Sequence, residues 1–174
     1  MKINKNILAI LKKNNQGIKL DLGCGECKQE GFVGMDRRKI AGVDIIHDLE
    51  KFPWPLPDES CSVIMASHIL EHIEPHNGLF IDVMNEAWRV IKPGGKFVIA
   101  SPYANSPAFF QDPTHCNMLT EVTWEYFDPE APNTKGELWL VYKPKPWKII
   151  FNSWNEGGAL EAVLVKRTDK QYVK

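Results

Sequence analysis

The chain has 174 residues and a net charge of −1, with 44% hydrophobic and 25% charged residues. That length buries one sizeable core, and the balance is that of a globular protein, not a disordered one; a single domain over 1–174 is expected. Near-neutral charge gives no overall field for nucleic acid or acidic lipid, and no apolar run approaches the roughly 20 residues that cross a bilayer, so neither DNA nor a membrane is expected as a partner.

The N-terminal segment MKINKNILAILKKNN has a basic start, but its apolar run is short, broken by lysines and without a small-residue cleavage site. It reads as an amphipathic helix with Ile7, Leu8, Ile10 and Leu11 inward, not as a signal peptide, and residence is expected to be cytoplasmic. Strands are expected at Ile18–Leu22, Phe32–Asp36, Val43–His47, Cys61–Ala66 and Lys96–Ser101, the last introduced by a Pro93-Gly94-Gly95 turn. Short apolar runs of this kind suit a parallel sheet buried on both faces. Between them, Ser67–Glu74 reads as a short helix closed by Pro75. Asn77 is expected to cap a helix whose face carries Leu79, Phe80, Val83, Met84, Ala87 and Ile91. Thr120–Phe127 is a further short helix with Thr120 as its cap. Trp147–Trp154 and Ala159–Arg167, joined by Asn155-Glu156-Gly157-Gly158, form a hairpin signal. The expected fold is therefore α/β, doubly wound and mostly parallel, with a C-terminal antiparallel hairpin.

The chemistry gathers at strand ends. Asp21-Leu22-Gly23-Cys24-Gly25 follows the first strand, and its glycines permit a tight turn with a ligand lying against the backbone. The second strand ends in Asp36, placed to accept hydrogen bonds from both hydroxyls of a ribose. The third ends in His47-Asp48-Leu49, where Asp48 can accept from an adenine amino group and Leu49 can pack on the ring. The fourth ends in Ala66-Ser67-His68. Strand-end aspartates also stabilise turns, but three on successive strands beside GCG form a stronger pattern than one. The dinucleotide fingerprint G-x-G-x-x-G fails at Lys28, and no G-K-S/T phosphate loop occurs, so the spacing favours a ligand with adenosine and no pyrophosphate.

The order LDLGCG, GFVGMD, VDIIHDLE, LPDESCSVIMASHILEHI, VMNEAWRVIKPGGKFVIASP, from Ile18 to Pro102, resembles the class I S-adenosylmethionine-dependent methyltransferases, in particular the small "LEH" branch often called type 11. The resemblance implies a seven-stranded sheet of order 3-2-1-4-5-7-6 and S-adenosylmethionine as cofactor. The candidate cofactor residues are Asp21, Gly23, Cys24, Gly25, Asp36, Arg37, His47, Asp48, Leu49, Ser67 and His68. By the resemblance, Gly23 and Gly25 line the methionine part, Asp36 holds the ribose, Asp48 and Leu49 hold the adenine, Ser67 flanks the cofactor, and Asp21 meets the amino group directly or through water. Two departures stand out. Cys27 replaces the family's third glycine, and Glu26–Gly31 is too short for the usual first crossover helix, which is expected to be short or absent, weakening the helix-terminus contribution to carboxylate binding.

No metal is expected. Cys24 and Cys27 form a lone C-x-x-C with no second pair. His68, His72 and His76 lack the H-E-x-x-H pattern, and Pro75 separates His76 from the others. Ser67-His68-Ile69-Leu70 stands where nucleic-acid amino methyltransferases carry an N/D-P-P-Y/F/W element, which argues against that class. Residues 103–146 form an aromatic- and proline-rich insertion, read as an acceptor pocket or lid; its aromatics also suit plain core packing. Here Asp112-Pro113-Thr114-His115 resembles a D-x-T-H element of related small methyltransferases. The candidate catalytic residues are His115 as general base, Asp112 and Tyr103; the alternative for Asp112 and His115 is a turn-stabilising pair. The expected reaction is methyl transfer to oxygen or nitrogen of a small molecule or saccharide. The alternatives are a protein or RNA acceptor, or a non-catalytic cofactor-binding subunit that needs a partner.

Overall fold

The structure, a computed structural model, describes residues 5–172; the extreme N-terminal basic start lies outside them. One seven-stranded sheet has the order β3-β2-β1-β4-β5-β7-β6. Strands β1 (Ile18–Leu22), β2 (Val33–Asp36), β3 (Ile45–Ile46), β4 (Cys61–Ser67) and β5 (Ile91–Pro102) run parallel to one another. The hairpin of β6 (Trp147–Trp154) and β7 (Ala159–Lys166) adds to β5 antiparallel. This is the expected order and class.

The central strands owe their place to an apolar face that the parallel registers line up, Leu20 beside Ile64 and Ile64 beside Phe97. Ile18, Leu20, Leu22, Ile64, Ala66 and Phe97 are fully buried, and each large side chain among them stabilises the fold by about 1.5–3 kcal/mol. Helix α1 (Lys5–Lys13) covers one face with Ile7 buried and Ile10 and Leu11 partly so; Leu8, expected inward, is 44% exposed, so the apolar stripe is narrower than the sequence suggested. Helix α2 (Leu79–Val90) buries Phe80, Val83, Met84, Ala87 and Val90, the three-and-four spacing of one helical face.

Local chemistry moves several boundaries from those expected. Asn77 does not cap α2: it sits in a 3₁₀ turn (His76–Gly78) with φ 56°, and Gly78 takes the N-cap position with φ 77°. Ile91 belongs to β5, not to the helix. The Pro93-Gly94-Gly95 turn is absorbed into β5 as an irregularity, the pairing jumping from Cys61↔Ile91 to Val63↔Lys96. The helix expected at Ser67–Glu74 is reduced to a 3₁₀ turn at Leu70–His72. Glu121–Phe127 is also 3₁₀, and Thr120 does cap it, in a reciprocal box with Thr123.

Residues 23–32 pass from β1 to β2 as turns and bends with no helix, as the spacing required. The chain order runs outward from β1 to β3 on one side and from β4 to β5 on the other. The switch point therefore lies between β1 and β4, where ligands of open α/β sheets bind at the carboxyl ends. Among the described residues no helix is long and apolar enough to cross a membrane.

Candidate active site

Beyond β1 the backbone turns through left-handed geometry at Gly23 (φ 61°) and Gly25 (φ 53°). The Gly23 N–H donates to the Met35 carbonyl of β2 at 2.8 Å, which pins the turn to the sheet. A Cβ at Gly23 would stand 2.4 Å from Cγ1 of Ile69, so only glycine lets the segment after β4 close over the turn. Asp21, 3% exposed, accepts from the Gln29 N–H at 2.8 Å. It holds the loop that replaces the crossover helix, and burial raises its pKa against that hydrogen bond. Cys24 is a buried thiol, pushed up to about 11 by burial and by the Asp21 and Asp36 carboxylates, while Cys27 is exposed; both are free thiols.

A cleft of about 490 Å³ opens along the carboxyl rim, a size that suits a small-molecule ligand. Its wall carries Gly23, Asp36, Arg37, Asp48, Leu49 and His68 of the expected set, together with Ile69, His72 and Thr114. Asp21, Cys24, Gly25, His47 and Ser67 stand outside that lining; His47 instead holds the Lys51 carbonyl through Nε2 at 2.8 Å. Asp36 accepts from the Gly25 N–H (3.0 Å), the Arg38 N–H (2.8 Å) and the Arg38 guanidinium (3.1 and 3.4 Å). Burial alone would raise its pKa; the Arg38 and Gly25 donors outweigh burial and hold it below the usual carboxylate value. His68 ends β4 with φ 53°. A bulky side chain in that region is a strained element at the cleft wall.

The insertion reaches the same cleft. The N–H groups of Cys116 and Asn117 donate to the Glu71 carbonyl at 2.9 and 3.0 Å. These bonds staple the insertion to the Leu70–His72 turn and bring His115 against His72, with ring centroids 4.7 Å apart. Nδ1 of His115 meets the Phe109 carbonyl at 2.8 Å, so in the neutral ring the lone pair lies on Nε2. That nitrogen faces Glu71 Oε1 at 3.9 Å and Asp112 Oδ2 at 3.8 Å. The Thr114 hydroxyl donates to Asp112 Oδ1 (2.7 Å) and so accepts from Nδ1 of His72 (3.0 Å). Asp112 is held below its usual pKa by the Thr114 hydroxyl and N–H. Asp112 and His115 are therefore together, as the sequence suggested. Tyr103 is placed elsewhere: its ring stacks on Trp154, centroids 4.6 Å apart, and partial burial and Glu121 push its phenol pKa up. Of the insertion's aromatics, Trp124 and Phe127 are core, whereas Phe110 is 68% exposed. Glu71, absent from the expected site set, is fully buried, with Oε1 3.4 Å from Nδ1 of His68 and 3.9 Å from Nε2 of His115. The L-E-H triplet marks it in the sequence, but nothing there pairs it with His115.

The family model described as "Methyltransferase domain" (Methyltransf_11) matches residues 30–99. The match begins after the glycine turn, where this chain lacks the usual crossover. A Mycolicibacterium smegmatis protein named for S-adenosylmethionine-dependent methyltransferase activity is 26% identical over 99 residues, 48% of this chain and 37% of that protein. The chain thus spans little more than a third of that relative's length. Two solved structures share the fold. A S-adenosylmethionine-dependent methyltransferase from Archaeoglobus fulgidus superimposes with a TM-score of 0.58 at 19% identity, covering 91% of this chain and 94% of its own. A 16S rRNA (adenine(1408)-N(1))-methyltransferase mutant with S-adenosylmethionine from Catenulisporales acidiphilia gives a TM-score of 0.56 at 14% identity, covering 98% and 94%.

Proposed function

We propose that this chain is a class I S-adenosylmethionine-dependent methyltransferase that transfers the cofactor's methyl group to an oxygen or nitrogen of a small molecule or saccharide, a reading supported by the family-model match over residues 30–99 and by the shared fold. The observation that carries this reading is the convergence of Gly23, Asp36, Asp48 and Leu49 on one cleft at the switch point.

The residues fit the cofactor. Asp36 presents a carboxylate whose Arg38 contacts come from a side chain 57% exposed, so the guanidinium can swing out and leave acceptor positions for two ribose hydroxyls. Asp48 offers a partly exposed carboxylate toward an adenine amino group, and buried Leu49 offers an apolar surface for the ring. Gly23, at the cleft wall, keeps the turn low enough for the methionine part. When bound, S-adenosylmethionine supplies an activated methyl on a sulfonium; its transfer breaks the carbon–sulfur bond, leaves the electron pair on sulfur and releases one proton from the acceptor. The protein's part is placement and exclusion of water. His68, His72 and Thr114 form the wall from which an acceptor reaches the donor, with Asp112 and His115 behind it.

A second, apolar cavity of about 360 Å³ lies between α2 and the insertion, lined in part by Phe80, Ile81, Tyr126 and Tyr142. Glu74 of the cleft and Pro75 of this cavity are consecutive residues. Its size supports a small acceptor, and the net charge of −1 gives no support to a nucleic-acid surface. An RNA acceptor stays as the second reading because the rRNA methyltransferase shares the fold. The test is S-adenosylhomocysteine release against panels of saccharides, small alcohols and amines, with RNA and protein alongside. Turnover confined to small molecules supports the proposal; turnover on RNA or protein alone overturns it.

A further inference from the structure

We propose that Glu71, His72 and His115 form a binding site for a divalent first-row transition metal ion, open to the cofactor cleft. Each of the three offers a ligand atom, and these atoms lie within 4.8 Å of one another. Metal bonds of about 2.0–2.2 Å to imidazole nitrogen and carboxylate oxygen set ligand atoms roughly 3–3.5 Å apart. Closing the present spacing takes side-chain displacements of about 1 Å.

Three observations point to an ion rather than to an ordinary polar cluster. Glu71 has no exposed side-chain surface, and neither of its carboxylate oxygens makes a hydrogen bond. A buried carboxylate left so is costly unless a cation meets it. The nearest basic atoms are Nδ1 of His68 at 3.4 Å and Nε2 of His115 at 3.9 Å. The second observation is orientation. Metal-binding histidines commonly give their other N–H to a carbonyl or carboxylate, which fixes the tautomer. His115 does so to the Phe109 carbonyl, and His72 gives its Nδ1–H to Thr114, whose own proton goes to Asp112. Third, Asp112 Oδ2 stands 3.8 Å from Nε2 of His115, a further carboxylate at the same point. The spacing argument against a histidine metal site holds for His76, which stays with Glu74. It does not reach His115, which arrives through the insertion.

Two imidazoles and a carboxylate suit zinc, manganese or iron better than magnesium or calcium, which prefer all-oxygen shells. The ion's role rests on the methyl-transfer reading. His68, His72 and Thr114 line the cleft that also carries Asp36 and Asp48, so an open coordination position would hold an acceptor oxygen beside the donor. A metal-held hydroxyl loses its proton readily, here to water. The oxygen–methyl bond then forms as the sulfur–methyl bond breaks, with the electron pair left on sulfur. The acceptor class implied is an alcohol or a hydroxy acid.

The test is calorimetric titration of ZnCl₂ into chelator-treated full chain, with MgCl₂ as the contrast, for the wild type, Glu71→Gln, His115→Asn and His76→Asn. The expected result is one saturable Zn²⁺ site and no Mg²⁺ binding. Zn²⁺ affinity falls by about ten-fold or more in Glu71→Gln and His115→Asn and is unchanged in His76→Asn. Glu71→Gln keeps the side chain's shape, and a thermal melt checks that it folds. Absence of saturable Zn²⁺ binding, or equal affinity in wild type and Glu71→Gln, overturns the site. S-adenosylmethionine titration of the same samples separates the two claims. Cofactor binding without the zinc pattern defeats the metal site alone; the zinc pattern without cofactor binding defeats the methyl-transfer reading alone.

Discussion

Gly23→Ala tests how the turn after β1 is built. Two effects act there. At φ 61° the new side chain is forced into left-handed backbone. That costs about 1–2 kcal/mol, partly offset by a stiffer unfolded chain, for a net of about 1 kcal/mol. The new Cβ also meets Ile69, 2.4 Å from Cγ1, 2.6 Å from Cδ1 and 2.9 Å from Cβ, and overpacking of this kind adds about 1–3 kcal/mol. Gly31→Ala isolates the first effect, because Gly31 has φ 76° and a Cβ added there meets nothing within 4 Å. Urea unfolding of both variants should give a loss of about 1 kcal/mol at Gly31 and about 2–4 kcal/mol at Gly23. Adding Ile69→Ala to Gly23→Ala removes the two nearest clashing carbons and should recover about 1 kcal/mol relative to additivity. Equal losses at the two glycines, or a double variant that is simply additive, would refute the reasoning.

The strain at His68, φ 53°, predicts that His68→Gly is more stable than His68→Ala by about 1 kcal/mol in urea unfolding, the reverse of the usual order of these residues; an alanine variant at least as stable counts against the strained conformation. Cys24 and Cys61, pushed by burial up to about 11 and about 12, should resist iodoacetamide at pH 8 while exposed Cys27 reacts, as read by peptide mass spectrometry; native-state labelling of Cys24 would contradict its burial. Asp36, held below its ordinary pKa despite burial, contributes stability that is present above the unfolded-state value and lost as pH falls through the folded-state value. Wild type should therefore exceed Asp36→Asn by about 1–2 kcal/mol at neutral pH, allowing for solvent screening, with the gap closing below about pH 4; a gap that widens on acidification would reverse the sign.

The sheet is legible in the sequence because its signal is local: short apolar-rich runs such as IKLDL and CSVIMAS carry the buried Ile18, Leu20, Leu22, Ile64 and Ala66, and turn or polar residues follow them. The absent first crossover is legible from length alone. Asn77 escapes a sequence reading because Pro75 starts a 3₁₀ turn that consumes it before α2 begins. Leu8 escapes it because α1 buries only Ile7 fully and leaves Leu8 44% exposed, a narrower stripe than the apolar spacing suggests. At the site, Asp36, Asp48 and Leu49 are readable from strand ends, since a parallel sheet aligns those ends by construction. The grouping of Glu71 with His115 is not readable, because it depends on two backbone bonds from Cys116 and Asn117 to the Glu71 carbonyl. Asp21 reads as a ligand contact in the sequence, whereas the loop's Gln29 N–H occupies one of its oxygens.

The most direct test of the central claim is calorimetric titration of S-adenosylmethionine and S-adenosylhomocysteine into the wild type and Asp36→Ala. The account predicts micromolar binding to the wild type and a loss of about 100-fold or more in the variant, the equivalent of about 3 kcal/mol for two hydrogen bonds to a charged group. Undetectable binding to the wild type, or equal binding by both proteins, would contradict it.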